Sequence, residues 1–155
     1  MLDVFRTACR IRPAFRELDP AVGETKVDYA ILVDSPAVDA NTLRTALGTV
    51  PMTHFGLSDN ASTPLAISIE TKSDAVDKLT GSTQLATWVR AHFRHLEVVR
   101  DTLQGKRTNA VDLPALPLIF ALGSEWYVQV ACRREEKTVR FSRLVYIYIY
   151  IYLDL

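Results

Sequence analysis

Cysteine is scarce in this sequence: Cys9 and Cys132 are the only two among 155 residues. That excludes a disulfide framework and a cysteine-built zinc site, and the pair reads as ordinary reduced thiols of an intracellular protein. Nothing in the sequence chooses between nucleus and cytoplasm. Long apolar runs are also missing. No stretch of about 18 apolar residues occurs, so no membrane span and no membrane partner is expected. Arg6, Arg10, Arg12 and Arg16 interrupt the N-terminal segment, which therefore lacks the apolar centre of a signal peptide. Net charge is absent as well, with 18 basic residues against 18 acidic ones. No overall electrostatic signature of a nucleic-acid partner results. Acidic side chains outnumber basic ones through residue 89, and basic outnumber acidic ones over 90–143. The second half could present a modestly basic face, and a solvated surface accounts for it equally well.

What is present suits one globular domain. Hydrophobic residues make up 48% and charged residues 23%, and the chain is long enough for a real core. Residues 1–143 read as that domain. Residues 144–155 read as a tail, dominated by the Tyr/Ile alternation of Val145–Tyr152. The codons TAT and ATA encode Tyr and Ile, so a TA repeat would read out as this pattern. The tail is therefore taken as translated non-coding sequence at a misdrawn gene end.

Along the chain, Leu2–Ile11 fits a short helix or an entering strand. Val27–Val33 is a strand by its β-branched and apolar content, opened by Asp28. Residues 34–63 form a long connection with a helical turn over Asp39–Leu47, capped by Asn41 or Thr42. His54 lies in this connection without an assigned role. Pro64–Lys72 is a second strand that ends in two charges. Gly81-Ser82 precedes a helix from Thr83 to about Leu103, with Ser82 as its N-cap and Ala86, Val89, Phe93, Leu96 and Val99 as its apolar stripe. His92 and His95 stand three apart on it. They lack a third ligand at diagnostic spacing, so they read as half-exposed helix residues. Leu118–Leu122, the Gly123-Ser124 turn and Trp126–Ala131 form a hairpin, with Lys137–Phe141 as a short edge strand.

The chemistry concentrates at Pro64–Lys72. Strand parity sets Ser68, Glu70 and Lys72 on one face and Ile67, Ile69 and Thr71 on the other, with Glu70 and Lys72 roughly 6–7 Å apart along the strand. Taken alone, Glu70-x-Lys72 is most often a strand-end salt bridge, and Asp28 a strand-edge residue facing water. Taken together, Asp28 and Glu70 on adjacent strands would repel unless a proton or a cation lay between them. Mg²⁺, which prefers carboxylate, carbonyl and water oxygens, is the natural occupant, and the Thr71 carbonyl could add an oxygen. Lys72 would then flank the ion and stabilise charge on a phosphate. Residue types and parity thus lead to a site for phosphodiester hydrolysis.

With these residues in place, the chain resembles the PD-(D/E)XK nucleases of the restriction-endonuclease-like superfamily. It most resembles the PD-(D/E)XK nuclease-like domain of many fungal proteins. The matching stretches are Lys26-Val-Asp-Tyr-Ala-Ile, Pro64-Leu-Ala-Ile-Ser-Ile-Glu-Thr-Lys, Gln84-Leu-Ala-Thr-Trp, Leu113-Pro-Ala-Leu-Pro and Trp126-Tyr-Val. The Gln84-x-x-x-Trp88 spacing is similar to a Gln-x-x-x-Tyr motif of helicase-associated nucleases. The resemblance implies an α/β fold, a central mixed β-sheet flanked by helices. It implies Asp28 and Glu70 as metal ligands, Lys72 as the catalytic lysine and Gln84 as a supporting group. It further implies Mg²⁺ or Mn²⁺ as cofactor, nucleic acid (DNA first) as substrate, and a homodimer, as many nucleases of this fold pair up to cut two strands. Val27 stands where the motif has proline, and the N-terminal helix of the family looks incomplete, which reads as a truncated member. The alternatives are a catalytically inactive nuclease-fold binding module or remnant, and an unrelated α/β interaction domain in which Glu70-x-Lys72 is only a salt bridge.

Overall fold

The structure is a computed structural model that describes residues 2–6, 10–16, 26–33, 39–56, 64–104, 112–134 and 137–144. The Tyr/Ile segment from Val145 onward lies outside them. Six strands form one sheet in chain order: β1 (Leu2–Arg6), β2 (Tyr29–Val33), β3 (Leu65–Lys72), β4 (Leu116–Leu122), β5 (Glu125–Arg134) and β6 (Lys137–Leu144). Six strands in chain order would alternate direction throughout if all were joined by hairpins. Here β3 and β4 run parallel while every other neighbouring pair is antiparallel. A parallel pair needs a crossover, and α2 (Lys78–Gln104) supplies it. The segment at Leu2–Arg6 is thus a strand rather than a helix. The expected mixed sheet, the hairpin and the β6 edge strand are all present.

The shorter helix α1 (Ala40–Leu47) is capped by Asp39 rather than by Asn41 or Thr42. The Asp39 carboxylate accepts from the Asn41 N–H at 3.0 Å and from the Thr42 N–H at 3.3 Å. A carboxylate satisfies two orphan donors at once and also suits the positive end of the helix.

The helix α2 starts five residues earlier than the sequence suggests, so Gly81 and Ser82 lie inside it and Ser82 is not its cap. Packing overrides the weak local preference of Gly-Ser for a break. Its buried face also runs differently. Gly81, Leu85, Trp88, His92 and His95 form the inward spine, with Val89 and Phe93 beside it, while Ala86, Leu96 and Val99 are only half-buried. This spine lies on β3 and β4 and completes a core with Phe15, Phe55, Leu118 and Phe120.

The two faces of the sheet are unequal. Cross-strand partners share a face, so Ser68, Leu118 and Gln129 form one row and Glu70, Phe120 and Tyr127 the next, both under α2. Ile31, Ile67, Ile69, Ile119 and Val128 point to the opposite side and are only half-buried. Thus Ser68 and Glu70 are buried more deeply than Ile67 and Ile69, with which they alternate. The strand's most polar side chains were placed on its most enclosed face.

Candidate active site

The site forms where β2 begins and β3 ends. Asp28 sits one residue before β2, in a bend. Its Oδ2 accepts twice from Thr71: from the backbone N–H at 2.9 Å and from the hydroxyl at 2.6 Å. Thr71 therefore fixes the Asp28 carboxylate, which the sequence alone did not reveal. The readable signal was a β-branched hydroxyl residue between two charges, one strand over from an aspartate. This contact also brings Asp28 beside Glu70, the residue before Thr71.

Glu70 is 1% exposed. Its Oε1 is 2.7 Å from Lys72 Nζ, and its Oε2 is buried with no hydrogen-bond partner among the described residues. Burial pushes the Glu70 carboxyl above its ordinary value, and the Asp28 charge adds to that; the Lys72 hydrogen bond and charge and the Asp28 backbone N–H pull it back only in part. A carboxylate with one bare, enclosed oxygen is costly unless a cation or a donor meets it. Lys72 keeps 20% of its side chain exposed and is far less enclosed than its partner Glu70. The Gly123 N–H donates to the Lys72 carbonyl at 2.8 Å, which ties this end of β3 to the β4–β5 turn.

Gln84 stands one turn beyond Gly81 on α2, and its Oε1 is also buried without a hydrogen-bond partner among the described residues; so is the indole Nε1 of Trp88, one further turn along. The sequence-derived residues Asp28, Glu70, Thr71 and Lys72 are thus gathered at one strand end, with Gln84 on the helix above them. Two carboxylates, one with an unpaired oxygen, fit a hard divalent ion that completes its shell with carbonyl, amide and water oxygens. Among the described residues no group of three or more His, Cys, Asp or Glu side chains is placed to hold a metal.

The histidines are a correction. His92 and His95 are buried rather than half-exposed, and His54 joins them with no exposed surface. The His54 ring stacks on His92 at 5.0 Å with 21° between planes and meets Trp88 edge-on at 4.9 Å. His95 Nε2 donates to the Pro51 carbonyl at 2.6 Å. Parallel rings share faces rather than aiming lone pairs at one point, so the cluster is packing, not a ligand set. Burial holds all three imidazoles below their ordinary value, His92 at about 3. An apolar-only stripe passed over them because a neutral imidazole packs like an aromatic ring.

A mixed sheet carrying a carboxylate pair and a lysine at one strand end, with a crossover helix above, defines a nuclease-like α/β protein. The chain belongs to the PD-(D/E)XK nuclease superfamily, whose family profile matches residues 1–147. No curated protein matches the chain, and no solved structure does. No helix among the described residues is long and apolar enough to cross a membrane.

Proposed function

We propose that the protein hydrolyses phosphodiester bonds of nucleic acid, with DNA as the first substrate to test, and that it depends on Mg²⁺ or Mn²⁺. The observation that carries this reading is the buried Glu70 carboxylate, with Lys72 on one oxygen and no hydrogen-bond partner on the other among the described residues, beside a fixed Asp28. A structural ion pair would gain by satisfying both oxygens or by yielding to apolar packing. A ligand site keeps one oxygen open.

Asp28 and Glu70 would hold the cation, with the Thr71 carbonyl as a further oxygen. The ion would supply Lewis acidity and a nucleophile at neutral pH. Thr71 keeps Asp28 from turning toward solvent. The Lys72 ammonium offsets the negative charge of the carboxylates and is free at its tip to donate to a phosphate oxygen. The Gln84 amide, with its oxygen unpaired, would support the ion or the substrate strand.

Cleavage of labelled DNA in Mg²⁺ or Mn²⁺, compared across wild type, Glu70→Ala and Lys72→Ala, tests the reading. Wild-type cleavage that is lost in both variants is expected. Equal cleavage in the variants contradicts the assignment, and ion binding without cleavage would assign the chain to a non-catalytic module of the same fold.

A further inference from the structure

Gly81 is an anomaly on α2. Glycine inside a helix is unfavourable relative to alanine, and Gly81 is not among the glycines with positive φ, so its backbone does not demand it. Space does. A Cβ at Gly81 would lie 2.6 Å from Cε2 of Phe120, 2.9 Å from Cγ of Lys72 and 3.1 Å from Cε of Lys72. Two of these separations are shorter than real Cβ contacts allow, so a side chain here must displace a neighbour.

We propose that Gly81 is a positioning residue for Lys72: its missing side chain lets the start of α2 lie directly on the lysine stem and hold the ammonium against Glu70. The inference rests on reading Lys72 as a group of the reaction. The neighbours differ in how easily they yield. Phe120 is enclosed in the core, in register with Glu70 on one side and Tyr127 on the other. The helix is anchored by Leu85, Trp88, Val89 and Phe93, so it does not lift away without opening the core. The 2.6 Å approach to Phe120 has to be met by a small shift of the ring or of the helix start, whereas Lys72 is a flexible side chain, 20% exposed, whose stem yields most readily. The contact is made at Cγ and Cε, so displacement carries Nζ away from the Glu70 oxygen.

The test is Gly81→Ala, read first without any activity. Acetylation of lysines by a limiting amine-acylating reagent is followed by mass spectrometry, with the exposed Lys26 as internal reference. In the variant the Lys72-to-Lys26 ratio is expected to rise roughly threefold or more as the ammonium leaves its ion pair with Glu70. An unchanged ratio in a cooperatively melting variant overturns the proposal. If Gly81→Ala alone does not fold, Gly81→Ala/Phe120→Leu relieves the aromatic contact and keeps the one with Lys72. Where wild type cleaves DNA, Gly81→Ala is expected to lower kcat about tenfold or more with KM and Mn²⁺ affinity unchanged. A raised KM at wild-type kcat would contradict positioning. Absence of wild-type cleavage counts against the nuclease reading, and the labelling ratio still decides the role of Gly81.

Discussion

Two buried polar groups lie against the same helix and differ in every respect that matters for chemistry. Asp28, Glu70 and Lys72 are acidic and basic groups that meet at a strand end and leave a carboxylate oxygen without a hydrogen-bond partner among the described residues. His54, His92 and His95 are held neutral by burial, stack their rings and pack against Trp88 and Phe15. Burial, a displaced pKa and buried polar atoms without a hydrogen-bond partner among the described residues are common to both, so none of these alone identifies a site. Convergence of charged groups around an open coordination position does. The histidines serve the fold by filling space; the carboxylates burden it, because burial pushes Glu70 upward and its charged form is costly.

Removing Glu70 or Lys72 should separate the two groups most strongly. Cleavage in Mn²⁺ is expected to fall by about a thousandfold or more in Lys72→Ala, in line with loss of a group that stabilises transition-state charge. Glu70→Gln should lose cleavage equally while melting at or above the wild-type temperature, since an isosteric amide removes the buried charge. A large drop in melting temperature for Glu70→Gln would break the contrast.

The reverse pattern is expected from the histidines. His92→Ala opens a cavity between stacked rings and should destabilise the fold by about 2–4 kcal/mol, measured by urea unfolding. Its cleavage rate at a temperature where it is folded should match wild type.

Acid should act on both groups through different readouts. An imidazole held below its unfolded value of 6.5 leaves the unfolded chain binding protons that the folded one refuses. The stabilisation is complete above about pH 6.5 and is lost progressively as pH falls toward the folded His92 value of about 3. Unfolding free energy should therefore decline below pH 6.5, and less steeply in His92→Phe. Glu70 works in the opposite sense: its raised pKa favours the folded state below its unfolded value of 4.5 and loses that contribution as pH rises through the folded value. Ion binding, which needs the ionised carboxylate, should weaken on acidification at a pH above the ordinary Glu range.

Thr71→Ala should give the smallest effect. It deletes the hydroxyl hydrogen bond to Asp28 but keeps the backbone one, at a cost of about 1 kcal/mol. Mn²⁺ affinity, read by calorimetry, should fall several-fold without being abolished.

Much of the site was legible because strand parity is a local property. Glu70 and Lys72 fall on one face by alternation alone, and the β-branched run after Asp28 marks the adjoining strand. The Gly123-Ser124 turn between two apolar runs likewise fixed the hairpin without any tertiary information. What was not legible depends on who packs against whom. Gly81-Ser82 reads as a helix break until Lys72 and Phe120 are seen to need the space. His92 and His95 read as half-exposed until His54 arrives from a loop more than thirty positions away in the sequence, and the Thr71 hydroxyl shows no role until the Asp28 carboxylate accepts from it.

The most direct test of the central claim is a calorimetric titration of Mn²⁺ into wild type and Glu70→Gln near neutral pH. One binding site in wild type, lost in Glu70→Gln, is the predicted result. Equal binding by both proteins, or none by wild type, would show that the open oxygen of Glu70 does not mark a cation site.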